Sequence, residues 1–393
     1  MNRRRFVTLT PAALLAGGGI WYGCDGKSLL VNDDAAYFPW AEWQAGGEPK
    51  PLKLVRAAIL ASSPHNTQPW RFRVGDSFVE LYLETNRSVR GLDPYLREAH
   101  IGMGCALENL ALSAAANGFA TAISVPDGSL DSQRIESPLR LVARVDLSAG
   151  VPRESDLHSA IPKRHTNRSV YDRNTDLPSG FVEELFSLCN VDGEARLFLF
   201  AERPQQDELS RISAAANFEL YSDPEVEGGS EQWIRWRPAE VKRFQDGLTI
   251  DNFGLPPATA AFAKISPIWL LKRASSPEHR SAMYERQMRS APLIGVIAVR
   301  DRMSKRQSLM AGRVWQRAHL LTTVRGLGAR PCNEAIEMID YERHLSRPAR
   351  RLSALAGVLG DSSWQPTFLF LMGKPTLAAH LSPRRPLERV VAS

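Results

Sequence analysis

Ser63-Pro64-His65-Asn66-Thr67-Gln68-Pro69-Trp70 stands between an amphipathic segment, Leu52 to Ala61, and an alternating one, Arg71-Phe72-Arg73-Val74. The first has the spacing of a helix and the second that of a strand. Between them two prolines fix φ, while the Asn and Gln amides each offer donors and acceptors. Such a turn suits polar side chains that must be held rigidly at a site. The alternative is an ordinary helix-to-strand connection.

Working outward, the pattern predicts strands over Arg71–Val74 and Phe78–Leu83, a helix from Ile101 to Asn117 stopped by Gly118, and a strand over Leu139–Val145. Val151 to Pro162 reads as a connector leading into a short helix. A second pass then begins at Arg164-His165-Thr166-Asn167-Arg168, with a helix from Phe181 to Leu188 and a strand over Arg196–Phe200. A long helix from Met310 to Arg325 ends at Gly326-Leu327-Gly328, paralleling the Ile101 helix, and a last strand spans Pro366 to Met372. The fold class is α+β, with two related halves on one sheet-and-helix plan. Between about 222 and 290 an insertion with Trp233, Trp236 and Pro256-Pro257 lacks clean periodicity. Inserts of that length often form lids.

The opening string resembles the Pro-Ser-x-x-Asn-x-Gln-Pro-Trp segment of the FMN-dependent nitroreductase superfamily, where it lies beside the flavin and comes from the opposite subunit of a dimer. The resemblance covers the chain from about 50 to 391. The first half keeps that segment but has no preceding Arg-x-Ser/Thr. The second half has Arg164-His165-Thr166 but lacks the other segment, with Cys189 to Glu194 standing in its place. Each half has lost what the other kept. This is similar to the Acg-type branch, internally duplicated with one flavin site, and implies a nitroreductase-like fold in which two degenerate halves form a fused pseudo-dimer. The implied organisation is a signal over 1–24, a linker or arm over 25–50, a first half over 51–150 and a second over 158–393 carrying the insertion.

The resemblance also assigns residues. Arginine suits phosphate because its fork gives two parallel hydrogen bonds, and alternate residues of Arg164-x-Thr166-x-Arg168 share a face if that segment is extended. Arg164 and Thr166 are implied to hold the FMN phosphate, with Arg168 at the pyrimidine edge of the ring. Arg384, in Arg384-Arg385-Pro386, matches a C-terminal phosphate-binding arginine, although Ser382 stands where the family often has another cation. Ser62, Ser63, Asn66 and Gln68 are implied to meet the ring from the first half. Pro331-Cys332-Asn333-Glu334 aligns with a loop that offers a backbone N–H towards flavin N5, making Pro331 and Asn333 site residues; that loop's usual glycine is absent here. A donor at N5 would stabilise charge on reduced flavin. His65 is read as a turn histidine satisfied by hydrogen bonds, and no side chain is required as acid or base, because the flavin carries the chemistry.

The 393 residues, 44% of them apolar and 23% charged, exclude a disordered chain or a polytopic membrane protein. The net charge of +6 is concentrated at Arg3-Arg4-Arg5 and Arg347 to Arg351, with no basic stripe interleaved with aromatics, so nucleic acid is not an expected partner. Arg3-Arg4-Arg5-Phe6-Val7, followed by a modest apolar run, is a twin-arginine pattern. It implies the twin-arginine translocase as a partner, export, and a periplasmic or membrane-associated location; without it the location is cytoplasmic. Cys24 after Gly23 is a minor lipidation option. The four cysteines, at 24, 105, 189 and 332, have neither disulfide-framework nor zinc spacing, and no metal is expected. Gly26-Lys27-Ser28 ends like a phosphate loop, but Trp21 occupies the position of its first glycine.

The function so implied is an FMN-dependent oxidoreductase passing hydride or electrons from a small-molecule donor to a nitro-, quinone- or ene-type acceptor. The alternative is a flavin-sequestering protein whose lid covers the ring and limits turnover. A third is an interaction protein that kept the fold and lost the flavin.

Overall fold

Period-2 alternation places Trp70 and Phe72 on one face of strand β1 (Trp70–Val74), opposite Leu83 and Leu81 of β2 (Phe78–Glu84). All four side chains are fully buried. The other face of this hairpin is ionic: Arg71 pairs with Glu84 at 2.7 Å and Arg73 with Glu80 at 3.4 Å. The computed structural model describes residues 35–44, 50–130, 137–190 and 193–392. The twin-arginine pattern, Cys24 and Gly26-Lys27-Ser28 lie outside the described residues.

The hairpin belongs to a first unit made of helix α1 (Lys50–Ala58), β1, β2, helix α2 (Arg97–Ala116), β3 (Phe119–Ser124) and β4 (Leu139–Ala149). Its antiparallel sheet has the order β1-β2-β4-β3. A second unit runs α3 (Phe181–Cys189), β5 (Ala195–Phe200), an excursion described below, β6 (Leu293–Val299), α9 (Lys305–Val324), β7 (Gly328–Pro331), α10 (Glu334–His344) and β8 (Gln365–Pro375). Its antiparallel order is β5-β6-β8-β7, element for element the order of the first sheet. The short strand Tyr171–Asp172 adds to the end of β8.

Between β5 and β6 the chain forms α4 (Arg203–Tyr221), α5 (Pro224–Glu231), α6 (Pro257–Ile265), α7 (Ile268–Ala274) and α8 (Pro277–Ser290). The stretch expected at 222–290 is largely helical, and α4 belongs to the same excursion because it leaves directly from β5. Its weak periodicity has a local cause: α7 buries none of its residues, so its apolar side chains follow no core-facing stripe.

Strand β6 is buried along its whole length. Leu293, Ile297 and Val299 join the core shared by α1, α2 and α9, while Ile294, Val296 and Ala298 join a second core under α4, α8 and α10. Residues 35–44 depart from the linker or arm expected there. Tyr37 and Trp40 sit in the first core, and Trp40 donates its indole N–H to Ser382 O at 2.8 Å. Burial of two large aromatics outweighs the extended conformation that local composition suggests.

The long helices begin earlier than their apolar periodicity implies, because caps extend them. Asp93 accepts from the backbone N–H groups of Glu98 and Ala99 at 3.1 and 2.9 Å, and Ser304 accepts from that of Gln307 at 3.2 Å. At its other end α1 tightens rather than continuing to Ala61: Leu60 N donates to Ala57 O and Ala61 N to Ala58 O. This leaves the carbonyls of Leu60 and Ala61 free for other donors.

Candidate functional site

The turn after α1 folds back through left-handed backbone. His65, Asn66 and Gln68 have φ of 45°, 55° and 50°, conformations that cost non-glycine residues roughly 1–3 kcal/mol each and collect at functional sites. Ser63 holds the turn closed, its hydroxyl accepting from Gln68 N at 3.0 Å and its carbonyl from Asn66 N at 3.0 Å.

The amides of Asn66 and Gln68 are spent within the protein. Asn66 Nδ2 donates to Gly247 O and Pro383 O at 3.0 and 2.9 Å, and its Oδ1 accepts from Arg384 Nη1 at 2.6 Å. Gln68 Nε2 donates to Gln245 O at 2.9 Å, and its Oε1 accepts from Arg385 N at 2.8 Å. Neither residue lines the cavity described below. The resemblance implies that both meet a ligand ring; here every polar atom of the two amides is satisfied within the protein, and they clamp the returning C-terminal segment and the insertion against the turn. That segment continues along the first sheet, where Phe72 N donates to Val390 O and Ala392 N to Phe72 O, both at 2.7 Å.

The same return brings Arg384 beside Arg164. Arg164 donates to Leu60 O at 3.0 Å and to His319 Nδ1 at 3.2 Å. Arg384 donates to Leu60 O and Ala61 O at 3.4 and 3.2 Å and lies 4.5 Å over the Trp40 ring. Both residues are buried, at 2% exposure, and each has an Nε with no partner. Among the described residues neither pairs with a carboxylate. The carbonyls at the end of α1 offset part of the charge. Burial still lowers Arg164 to about 10, and burial followed by the neighbouring Arg164 depresses Arg384 well below its ordinary value. His165 is pushed down to about 3 by burial, then Arg164 and Arg384. Two unpaired guanidinium groups at one place form a locus of positive charge with unused hydrogen-bonding capacity.

A cavity of about 550 Å³ adjoins this locus, within the range of small-molecule sites, roughly 300–1,000 Å³. Ser62, Ser63, Thr166, Arg168, Pro331 and Asn333 line it, whereas Arg164 and Arg384 lie behind its wall. Cys105 and Trp315 join the two regions. The Trp315 indole donates to Ser62 Oγ at 3.1 Å and stacks 4.7 Å from His319, the partner of Arg164. Arg168 donates to Asn252 O at 3.1 Å and its carbonyl accepts from Gln287 at 2.7 Å. Thr166 bridges to Ala329 at the edge of β7. In the Pro331–Glu334 loop, Cys332 N donates to Leu369 O and Asn333 Oδ1 accepts from Leu369 N, both at 2.8 Å. Both bonds fasten this loop to β8.

Sequence reading missed an acidic wall. Glu98, Glu334 and Glu337 line the cavity; Glu98 and Glu337 are buried and Glu334 is half-buried. Burial is the largest cause raising all three; Glu98 reaches about 8, with Asp93 and Asp340 adding to the rise and Arg97 opposing it. Glu98 and Glu337 face each other's charge, and Glu98 adds to the rise of Glu337 after burial. The signal was available: Glu98, Ile101, Gly102 and Cys105 form one helical stripe, and all four face the cavity. Arg330, immediately before Pro331, and Arg280 also line it.

The excursion forms one wall of the cavity and is fastened to the first unit. His65 Nε2 and Ser230 Oγ lie 2.8 Å apart, Gly247 N donates to Asn66 O at 3.1 Å, and Trp233 donates to Ser88 O at 3.0 Å. Asp246 takes Arg87 from the first unit and Arg235 from its own. Gly254 lies directly on the Arg168 backbone, where a Cβ would come within 2.3 Å of Arg168 C. Burial, then Arg168 and Arg280, lowers His65 to about 4, so the latch histidine is neutral at neutral pH.

Among the described residues no group of three His, Cys, Asp or Glu could hold a metal ion, and no helix is long and apolar enough to cross a membrane.

No family model matches the chain. A Mycobacterium tuberculosis protein carrying the provisional name NAD(P)H nitroreductase Rv3131 is 32% identical over 120 residues, 30% of this chain and 33% of that protein. A second from the same organism, provisionally NAD(P)H nitroreductase acg, is 39% identical over 64 residues, 16% of this chain and 19% of that protein. The matches thus span a third or less of these relatives' lengths. Of solved structures, one from Anabaena variabilis described as a nitroreductase aligns over 89% of this chain and 93% of its own, at a TM-score of 0.49 and 9% identity. The FMN-dependent nitroreductase NfnB of Mycobacterium smegmatis, solved with NADPH, aligns over 61% and 97%, at a TM-score of 0.37 and 12% identity. Over these stretches the chain is similar to Mycobacterium tuberculosis proteins provisionally named NAD(P)H nitroreductases, acg among them.

Proposed function

We propose that the protein is an FMN-binding oxidoreductase of the nitroreductase type, passing hydride or electrons from an NAD(P)H-type donor to a small nitro-, quinone- or ene-type acceptor. The observation that carries this reading is the pair Arg164 and Arg384, buried, unpaired with any carboxylate among the described residues, and each with an orphaned Nε. An unpaired buried guanidinium is costly, and a phosphate dianion supplies the missing charge and acceptors. In this reading Arg164 and Arg384 hold the phosphate, with Ser62, Ser63 and Thr166 beside it. Arg168, Pro331 and Asn333 line the space for the ring. Bound FMN supplies the redox chemistry, and the protein supplies binding, orientation and exclusion of water.

A second reading, sequestration of flavin under a closed lid, is favoured by the latches from Ser230, Asp246 and Gly247 onto the first unit. The matched strand orders support descent of the two units from one duplicated ancestor, so that the chain is its own pseudo-dimer. The twin-arginine pattern supports export of a folded, flavin-loaded protein.

One experiment separates the readings. The purified chain is examined by visible absorbance and then mixed anaerobically with NADPH. Bound flavin that bleaches supports turnover, and bound flavin that stays oxidised supports sequestration. Colourless protein that rejects added FMN overturns both. Arg164→Ala combined with Arg384→Ala is expected to lose most FMN, and unchanged occupancy in that variant refutes the phosphate assignment.

A further inference from the structure

The cavity opens onto the surface through large apolar side chains. Phe262 on α6, Leu270 on α7 and Met283 on α8 each line the cavity and are also exposed, at 45%, 37% and 38%. A residue that is both lining and exposed marks a mouth. Inside, the wall continues apolar through Leu255, Phe253, Ile250 and Ile101 to Trp315 and Phe368. Outside, Trp269 extends the apolar surface from the neighbouring position on α7. A path that is apolar from solvent to interior serves an apolar chain better than a compact polar molecule.

The polar groups of the wall narrow the class further. Glu98, Glu334 and Glu337 stand with Arg168, Arg280 and Arg330 on the same cavity, so its polar wall offers both acceptors and donors. A head group that both donates and accepts hydrogen bonds fits such a wall.

From the mouth and the wall together we infer that the cavity binds a single-chain amphiphile with a hydrogen-bonding polar head, its tail passing between α6, α7 and α8 at Phe262, Leu270 and Met283. This goes beyond the flavin reading and rests on the mouth residues Phe262, Leu270 and Met283, which that reading does not use. Flavin content is read separately by visible absorbance on the same preparation, so either conclusion can fail alone.

The test uses the protein as purified, with the neutral fluorophore N-phenyl-1-naphthylamine as reporter and 1-alkanols from hexanol to dodecanol as competitors. Displacement is expected to strengthen about fourfold per methylene, the factor corresponding to roughly 0.8 kcal/mol per buried CH2. Met283→Asp and Phe262→Asp, both at exposed positions and checked for folding by circular dichroism, are expected to weaken dodecanol at least tenfold. Trp269→Asp, outside the cavity, is expected to leave it within twofold. Displacement independent of chain length, wild-type dodecanol affinity in both mouth variants, or an equal loss in Trp269→Asp overturns the inference; the last would assign binding to the outer surface.

Discussion

Gly104 and Gly312 face each other where α2 crosses α9, each seven residues past the first residue of a twenty-residue helix. A Cβ on Gly104 would lie 2.0 Å from Leu309 O, and one on Gly312 would lie 2.0 Å from Ile101 O. The two units therefore meet through equivalent glycines, and the backbones come close enough to exclude any side chain. Cys105, next to Gly104, donates to Gly312 O at 3.3 Å across the same crossing.

Gly104→Ala and Gly312→Ala are each expected to destabilise the fold by about 1–3 kcal/mol, because the atoms met are backbone and only a shift of the helices relieves the overlap. The near-equivalent positions predict losses of similar size. Urea unfolding of both variants checks this; a loss in only one would mean that the crossing is not equivalent on its two sides.

Stability is expected to fall as pH rises from about 6.5 to 8. Glu98 has a folded-state value raised to about 8 from 4.5, mainly by burial, so the folded protein holds a proton that the unfolded chain has released. Its contribution is complete below about 4.5 and is lost as pH passes through 8. The lowered histidines, His65 and His100 at about 4, act in the opposite sense but only below their ordinary value of 6.5. Thermal melts at pH 6.5 and 8.0 should show the decline, at most about 1.4 kcal/mol per pH unit for one proton. Glu98→Gln should flatten it, and an unchanged slope in that variant would assign the proton elsewhere.

Much of the architecture was legible because local signals agree with tertiary demands. Alternation around Phe72, the run from Ile101 to Gly118 and the strand after Gln365 all have periods that burial preserves. The convergence of Arg164 and Arg384 was indicated by the resemblance of both motifs to one family. No local rule shows that Leu60 and Ala61 would present their carbonyls to both. The clamp made by Asn66 and Gln68 was not legible for a physical reason: an amide has the same donors and acceptors whether it meets a ligand or a neighbouring loop, and only tertiary structure brings Pro383 and Gln245 into reach. Glu98 escaped notice because a glutamate at the start of a helix looks solvated, while Asp93 caps that end and buries it.

Asp246 anchors the lid between Arg87 of the first unit and Arg235 of the excursion. Asp246→Ala leaves two arginines without their carboxylate and is expected to loosen the lid by on the order of 3 kcal/mol. Amide hydrogen exchange over 233–250 should quicken about 100-fold, with exchange in β6 unchanged. Within the flavin reading, bleaching by NADPH should also become faster, because the lid that limits access opens more often. Slow exchange retained in the variant would show that Gly247 and Ser230 hold the lid without Asp246.

Asn66 ties three segments together: its amide donates to Gly247 and Pro383 and accepts from Arg384, all from left-handed backbone at φ 55°. Asn66→Gly keeps that backbone available and removes the amide, so it is expected to cost roughly 2.5–6 kcal/mol, the worth of two neutral hydrogen bonds and one to a charged group. Asn66→Ala loses the same bonds and adds about 1 kcal/mol for placing Cβ in the left-handed region. The difference between the two variants in urea unfolding isolates the strain of the turn from the clamp it supports. Both variants release Arg384 Nη1 and free the C-terminal segment, so both should retain less FMN than the wild type at equal protein concentration. A variant that lost stability yet held flavin at wild-type affinity would show that Arg384 reaches its place without Asn66.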